Sequence, residues 1–247
     1  MSKFAADAAG SIRISECNKL ALTLLLDLDG TLVDTVPDLA AALNRLMAAR
    51  GFAPFTLAET ASMVGDGVAK LVERALAARG AAFDAAAVAA FSADYSTHAA
   101  GRSELFPGVA ETLRALAAEG WRLAVCTNKP GLATHALLTA VGLAPLISAV
   151  GAGDSFPVRK PDPAHLLATL RAAGGDPARA VMAGDHRNDV LAARGAGVPC
   201  VFAAWGYGPP AMAEGAAAVA RDFPELGKIV RTLLAADDRP TARAPRD

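Results

Sequence analysis

The chemistry of this chain starts with two carboxylates at the mouth of an aliphatic run. Leu22-Thr23-Leu24-Leu25-Leu26 reads as a buried strand, and Asp27-Leu28-Asp29-Gly30-Thr31 follows at once. Period-2 geometry sets Asp27 and Asp29 on one side of the chain, and Gly30 permits a sharp turn just beyond them. Two such acids repel each other and are costly to desolvate unless a positive charge sits between them. A hard divalent cation with oxygen ligands, such as Mg²⁺, meets that need. A bare Asp-x-Asp is at least as often a surface turn, and the strand of pure aliphatics in front of this one argues against that reading. Three further stretches put polar groups at the ends of predicted strands: Thr127-Asn128-Lys129, Arg159-Lys160-Pro161-Asp162-Pro163 and Gly184-Asp185-His186-Arg187-Asn188-Asp189. In the first of these, a hydroxyl and free backbone N–H groups suit a phosphoryl oxygen, although a turn-forming Asn is the plainer explanation.

The elements that must carry these groups follow from periodicity. The first strand covers roughly Ala21 to Leu28. From Val36 to Tyr95 the apolar spacing is helical throughout: Val36, Leu39, Ala40, Leu43, Leu46 and Met47 form one face, and Gly51 is the stop. Thr56-Leu57-Ala58-Glu59 reads as a capping box, and a further amphipathic stretch runs from Val68 to Gly80. From Pro107 onward, helices and strands alternate, with strands at Arg122–Thr127, Ile147–Gly151, Ala180–Gly184 and Val198–Phe202. That alternation predicts an α/β fold with a doubly wound parallel sheet. Ligands of such sheets bind beyond the carboxyl ends of the strands. The expected organisation is an α/β core of residues 20–34 and 104–236, an inserted all-helical unit of 35–103, and flexible termini at 1–19 and 237–247.

Asp-Leu-Asp-Gly-Thr-Leu-Val-Asp-Thr at positions 27–35 resembles the first motif of the haloacid dehalogenase (HAD) superfamily of phosphatases. The resemblance runs over roughly residues 20–230, with four motifs in order. It implies a HAD-like Rossmannoid core with a helical cap hinged at Asp34-Thr35 and at Ser103–Gly108. It implies that Asp27 is the nucleophile that becomes an aspartyl phosphate, and that Asp29 is the general acid/base. Thr127 then matches the phosphate-binding second motif, with Gly30 and Asn128 beside it as substrate contacts. The backbone N–H groups of Leu28 to Gly30 are a candidate anion nest. Lys160, rather than Arg159, resembles the third-motif lysine that neutralises Asp27 and the phosphoryl group. Asp185 would complete an Mg²⁺ site with Asp27 and Asp29, and Asp189 would hold Lys160 or a metal-bound water. His186 departs from the pattern, which has a small hydroxyl residue there, and Mg²⁺ does not favour a nitrogen ligand.

Retention of Asp29 favours a phosphohydrolase over a dehalogenase. Val64-Gly65-Asp66-Gly67-Val68-Ala69-Lys70 with Glu73-Arg74, and later Trp205-Gly206-Tyr207-Gly208, resemble the phosphoglycolate phosphatase-like subfamily. That implies 2-phosphoglycolate as substrate, with Lys70, Arg74, Gly65 and Gly67 as candidate contacts to its carboxylate. The alternatives are a phosphatase of the same subfamily acting on a sugar phosphate, an amino-sugar phosphate or pyrophosphate; a phosphomutase; and, more distantly, a non-catalytic regulatory protein on this fold.

Composition bounds the rest. The 247 residues carry a formal net charge of −1, which argues against nucleic acid or an anionic membrane as partner. No run of about 18 uncharged apolar residues is present. Cys17, Cys126 and Cys200 form no C-x-x-C pair, and Asp7, Arg13, Glu16 and Lys19 interrupt any signal-peptide pattern. A cytoplasmic enzyme, monomeric or homodimeric, acting on a small phosphorylated metabolite is the expectation. His98, His135 and His165 read as structural or surface residues, and Trp121 and Trp205 as packing anchors.

Overall fold

The computed structural model describes residues 21–98 and 101–237; the segments 1–19 and 238–247 expected to be flexible, Cys17 and the His98 side chain lie outside that description, whereas Asp237 ends a helix. The elements, in order, are β1 (Thr23–Leu26), β2 (Val33–Asp34), α1 (Val36–Ala49), α2 (Leu57–Ala61), α3 (Val68–Ala78), α4 (Ala85–His98), β3 (Glu104–Leu105), α5 (Val109–Ala118), β4 (Arg122–Cys126), α6 (Gly131–Ala140), β5 (Ala149–Gly151), α7 (Pro163–Ala172), β6 (Ala180–Gly184), α8 (Arg187–Gly195), β7 (Cys200–Ala203), β8 (Ala218–Ala220) and α9 (Phe223–Asp237).

Six strands form one parallel sheet in the order β5-β4-β1-β6-β7-β8. The near-continuous apolar strands reflect burial on both faces. Successive side chains divide between them: Leu24, Leu26, Leu123, Val125 and Val181 pack with α5 and α9, whereas Leu25, Ala124, Cys126, Met182 and Phe202 pack with α7 and α8. This is the doubly wound arrangement that the alternation predicts. β1 is central, and the chain leaves it for β4 and β5 on one side before returning to β6 on the other. The carboxyl ends of β1, β4 and β6 therefore meet at the switch point of the sheet, where α/β proteins bind ligands.

Helices α1 to α4 occupy the chain between β2 and β3 and bury their own cluster, including Leu43, Met47, Leu71, Leu76, Phe91 and Tyr95. The capping box at α2 is formed: Glu59 N donates to Thr56 Oγ1, and Thr56 N donates to Glu59 at 2.7 Å. Antiparallel pairing of β2 with β3 joins Val33 to Leu105 and Asp34 to Glu104 where the chain passes into and out of these helices. The buried Asp38 carboxylate reinforces the junction, accepting from Arg102 N at 3.0 Å and from Ser103 Oγ at 2.6 Å. Strands β2, β3 and β8 were not expected from the sequence. At two or three residues each, they are too short for any hydrophobic period to emerge.

Candidate active site

Asp27 follows β1 directly, its backbone N–H donating to Ala183 O of β6 at 2.9 Å. That bond continues the sheet one residue further and aims the carboxylate out of its carboxyl end. Oδ1 accepts from Leu28 N at 2.8 Å and lies 3.0 Å from Lys160 Nζ. Lys160 comes from the loop before α7 and also contacts Asp189 Oδ1 at 2.6 Å. Burial works against the lysine's charge, yet Asp189 and Asp27 more than offset it and hold its pKa well above the ordinary value.

Asp185 follows β6 in the same manner. Its carboxylate accepts from Thr31 Oγ1 at 3.1 Å and from Tyr207 N at 2.7 Å. Asp27, Asp185 and Asp189 each offer an oxygen, all within 4.8 Å of one another. Burial, then the charges of Asp27 and Asp189, push Asp185 up to about 8; burial also raises Asp189. Three buried carboxylates with one bound ammonium leave an excess of negative charge among hard oxygen donors, a set that suits Mg²⁺. Gly30 belongs to this arrangement through its backbone, at φ +80°, and a Cβ there would collide with the Asp185 carboxylate and the Tyr207 ring.

Asp29 stands apart from this oxygen cluster, and the expectation that its carboxylate joins the metal ligands is not what the geometry shows. Its Oδ1 lies 2.9 Å from Lys129 Nζ, an ion pair of which the lysine is almost wholly buried. The expected nest also differs: Leu28 N is held by Asp27 Oδ1 and Gly30 N by Val33 O, so both are spent within the turn. Thr127, at the end of β4, is buried; its oxygen accepts from Lys129 N at 3.2 Å, which leaves its hydroxyl proton to donate. Asn128 Nδ2 donates to Lys160 O at 3.0 Å and to Gly65 O at 3.2 Å, while its Oδ1 is buried without a partner among the described residues.

A cavity of about 40 Å³ opens over Asp27 and Asp29. Thr127, Asn128, Lys129 and Pro130 wall it on one side; Leu39, Val64, Gly65, Gly67, Val68, Leu71 and Tyr95 of the helical unit wall it on the other. The loop between α2 and α3 is bound down on the sheet end, with Gly65 O accepting from both Asn128 and Asn188, and Asp66 Oδ1 accepting from Asn188 Nδ2 at 2.6 Å. Arg74 secures that loop through Asp66 and through Met63 O at 2.9 Å. Asp66 is accordingly held below the usual carboxylate range, as Asn188 and Arg74 together outweigh its burial. Of the four candidate carboxylate contacts, Gly65 and Gly67 line the cavity, and Lys70 and Arg74 do not. Lys70 Nζ is 2.6 Å from Glu73, with half its side chain exposed. Arg74 is spent on Asp66 and Met63 O instead.

His186 occupies the N-cap of α8, where its Nδ1 accepts from Asn188 N at 3.3 Å and its backbone N–H donates to Asp189 Oδ2 at 3.0 Å. The imidazole thus does the capping work that a hydroxyl residue does elsewhere. Its ring lies against Gly65, where no larger residue would fit. His165 is a buried structural residue, with Nε2 3.0 Å from Ala152 O. Trp205 donates to Thr31 O at 3.0 Å and packs on Phe223, an anchor as expected. Three residues escaped the sequence reading as site components. Lys129 and Tyr95 flank Asp29, and Tyr207 links Asp185 to Asp34 and the Thr35 backbone. Only the Thr-Asn-Lys run and the Trp-Gly-Tyr-Gly run carried any signal of them.

Known proteins resemble this chain. A family model for haloacid dehalogenase-like hydrolases matches residues 22–197. A phosphoglycolate phosphatase of Caulobacter vibrioides is 45% identical over 217 residues, 86% of this chain and 92% of that one. One of Agrobacterium fabrum is 42% identical over 194 residues, 77% of this chain and 83% of that one. The crystal structure of a predicted phosphoglycolate phosphatase from Haemophilus somnus superposes with a TM-score of 0.78 at 31% identity, covering 85% of this chain and 97% of that one.

Proposed function

The chain belongs to the haloacid dehalogenase-like hydrolase family and is a phosphatase, and from that premise we propose that it hydrolyses 2-phosphoglycolate to glycolate and phosphate through a phosphorylated Asp27. The observation that carries this reading is the cavity over Asp27 and Asp29, walled on the sheet side by Thr127, Asn128 and Lys129 and on the other side by the helical unit. The phosphoglycolate phosphatases among its relatives support the same choice.

In the first half-reaction a carboxylate oxygen of Asp27 attacks phosphorus, the bond from phosphorus to the leaving oxygen breaks, and Asp29 gives that oxygen a proton. In the second, Asp29 takes a proton from water, the water oxygen attacks phosphorus, and the bond to Asp27 breaks to release phosphate. The Thr127 hydroxyl donates to a phosphoryl oxygen, and Lys160 balances charge at Asp27 as the phosphoryl group arrives. Asp27 and Asp185 would hold Mg²⁺, which when bound supplies electrostatic stabilisation of the phosphoryl oxygens. Asp189 already carries the Lys160 ammonium and serves to hold that lysine. The helical unit of residues 35–103 acts as a cap that excludes water during transfer. Two free, buried cysteines, Cys126 and Cys200, support a reducing, cytoplasmic setting.

The test is phosphate release with Mg²⁺ across 2-phosphoglycolate, hexose phosphates, an amino-sugar phosphate, nucleotides and pyrophosphate, compared by kcat/KM. We expect a preference for 2-phosphoglycolate of about a hundredfold; a flat profile, or a win for a sugar phosphate, would remove the substrate while leaving the phosphatase.

A further inference from the structure

The roles given to Asp27, Asp29, Thr127 and Lys160 leave one buried cation of the site without a task. Lys129 is the one cation among the residues lining the cavity, and it is 4% exposed. Two of its three N–H groups are engaged, one by Asp29 Oδ1 at 2.9 Å and one by the Tyr95 oxygen at 2.7 Å. Among the described residues no acceptor takes the third. Tyr95 receives the lysine's bond, so its own O–H is also unspent among the described contacts, and burial keeps that phenol protonated. Lys129 stays charged despite its burial because Asp29, and then Tyr95, favour the ammonium.

A buried ammonium and a phenol 2.7 Å apart are spaced for the two oxygens of one carboxylate. The rest of the cavity wall on the helical side carries no charged or hydroxyl side chain, only aliphatic residues and the backbone of Gly65 and Gly67. Resting on the reading above, we propose that Lys129 and Tyr95 together determine specificity by binding a carboxylate on the leaving group. The pair also positions the reaction: a leaving group anchored on Lys129 is held beside Asp29, which shares the same ammonium. Tyr95 belongs to α4 and Lys129 follows β4, so the carboxylate site is complete only when the helical unit is seated on the sheet. A substrate lacking the carboxylate fills the space without engaging either donor.

The experiment compares 2-phosphoglycolate with 2-hydroxyethyl phosphate, which keeps the chain length and replaces the carboxylate by a neutral alcohol. kcat/KM is measured for both substrates with the wild type, Lys129→Met, Lys129→Arg and Tyr95→Phe. In Lys129→Met, the preference for 2-phosphoglycolate should collapse by roughly a hundredfold, the scale for losing one partner of a buried charged contact. Lys129→Arg should restore part of that preference, and Tyr95→Phe should lower it roughly threefold to tenfold. An equal fall on both substrates in Lys129→Met would overturn the proposal, because Lys129 would then only hold Asp29. Should Lys129→Met fail to fold, Tyr95→Phe decides, and an unchanged preference there overturns it as well. The wild type alone tests the underlying reading: no preference for 2-phosphoglycolate removes the substrate, whereas a wild-type preference untouched by the variants removes only the role of this pair.

Discussion

The carboxylate of Asp27 and the ammonium of Lys160 stand 3.0 Å apart in the interior, both side chains less than a tenth exposed. Neither would be tolerated there alone, since an unpaired buried charge is costly. Asp189 completes the group from the other side of the lysine. Under the proposed function, Lys160 places a positive charge beside the carboxylate that would receive the phosphoryl group.

Replacing Lys160 by Met strands two carboxylates in the interior. We expect about 3–5 kcal/mol of lost stability, read as a shift of the urea midpoint. We also expect at least a hundredfold loss in kcat. An unchanged urea midpoint would mean that the ion pairs do not hold the site.

Asp29→Asn separates the two half-reactions. Turnover of 2-phosphoglycolate should fall about 10²- to 10⁴-fold, the range for losing a general acid/base. Acetyl phosphate is small and its leaving acetate needs no proton. On this substrate, the variant should release one equivalent of acetate in a burst and then stall, because water still lacks a base. Steady turnover of acetyl phosphate without a burst would assign the acid/base role elsewhere.

Much of this site was legible in the sequence, and the failures have physical causes. Asp27, Asp185 and Lys160 could be read because each closes or follows a strand or opens a helix, and short motifs fix backbone geometry at such points. The doubly wound parallel sheet followed from alternation of apolar strands with helices, whereas its short sixth strand, β8, did not. What a one-dimensional pattern does not carry is where a long side chain ends. Lys129 and Lys70 look equally free in the sequence, yet one is buried against Asp29 and the other is paired with Glu73 at the surface. Tyr95 lies 34 residues before Lys129, and only tertiary packing brings their polar atoms together. His186, which breaks the usual pattern, keeps the same capping bond through a different acceptor atom.

Metal affinity should depend on pH. Asp185 has a pKa pushed up to about 8 by burial and neighbouring carboxylates, so below that pH a cation must displace a proton. Mg²⁺ should bind roughly tenfold more tightly per pH unit between 6 and 8 and level off above. For the metal-free protein the sign is fixed by the raised folded-state pKa. Stability contributed by this group is full below its ordinary value of 3.8 and is lost as pH rises through about 8. Mg²⁺ should therefore raise Tm more at pH 8.5 than at pH 6. A pH-independent Mg²⁺ titration by calorimetry would contradict the proposed ligand set.

The two cations first expected to meet the substrate should behave unlike each other. Lys70→Ala should change kcat/KM by no more than about twofold, since an exposed helical ion pair contributes little. Arg74→Ala frees Asp66 and with it the loop that presents Gly65 and Gly67 to the cavity, and should raise KM several-fold with a smaller effect on kcat. A large loss in Lys70→Ala would return that residue to the substrate site.

The central claim is that Asp27 itself accepts the phosphoryl group, and the most direct measurement is the turnover of a folded Asp27→Asn variant with 2-phosphoglycolate and Mg²⁺. The amide has nearly the same shape and keeps the Leu28 and Lys160 surroundings, so circular dichroism and Tm should stay close to wild type. The account predicts that phosphate release falls by more than about a thousandfold, because an amide is a poor nucleophile toward phosphorus. A folded Asp27→Asn protein that still turns over within tenfold of the wild type would contradict it.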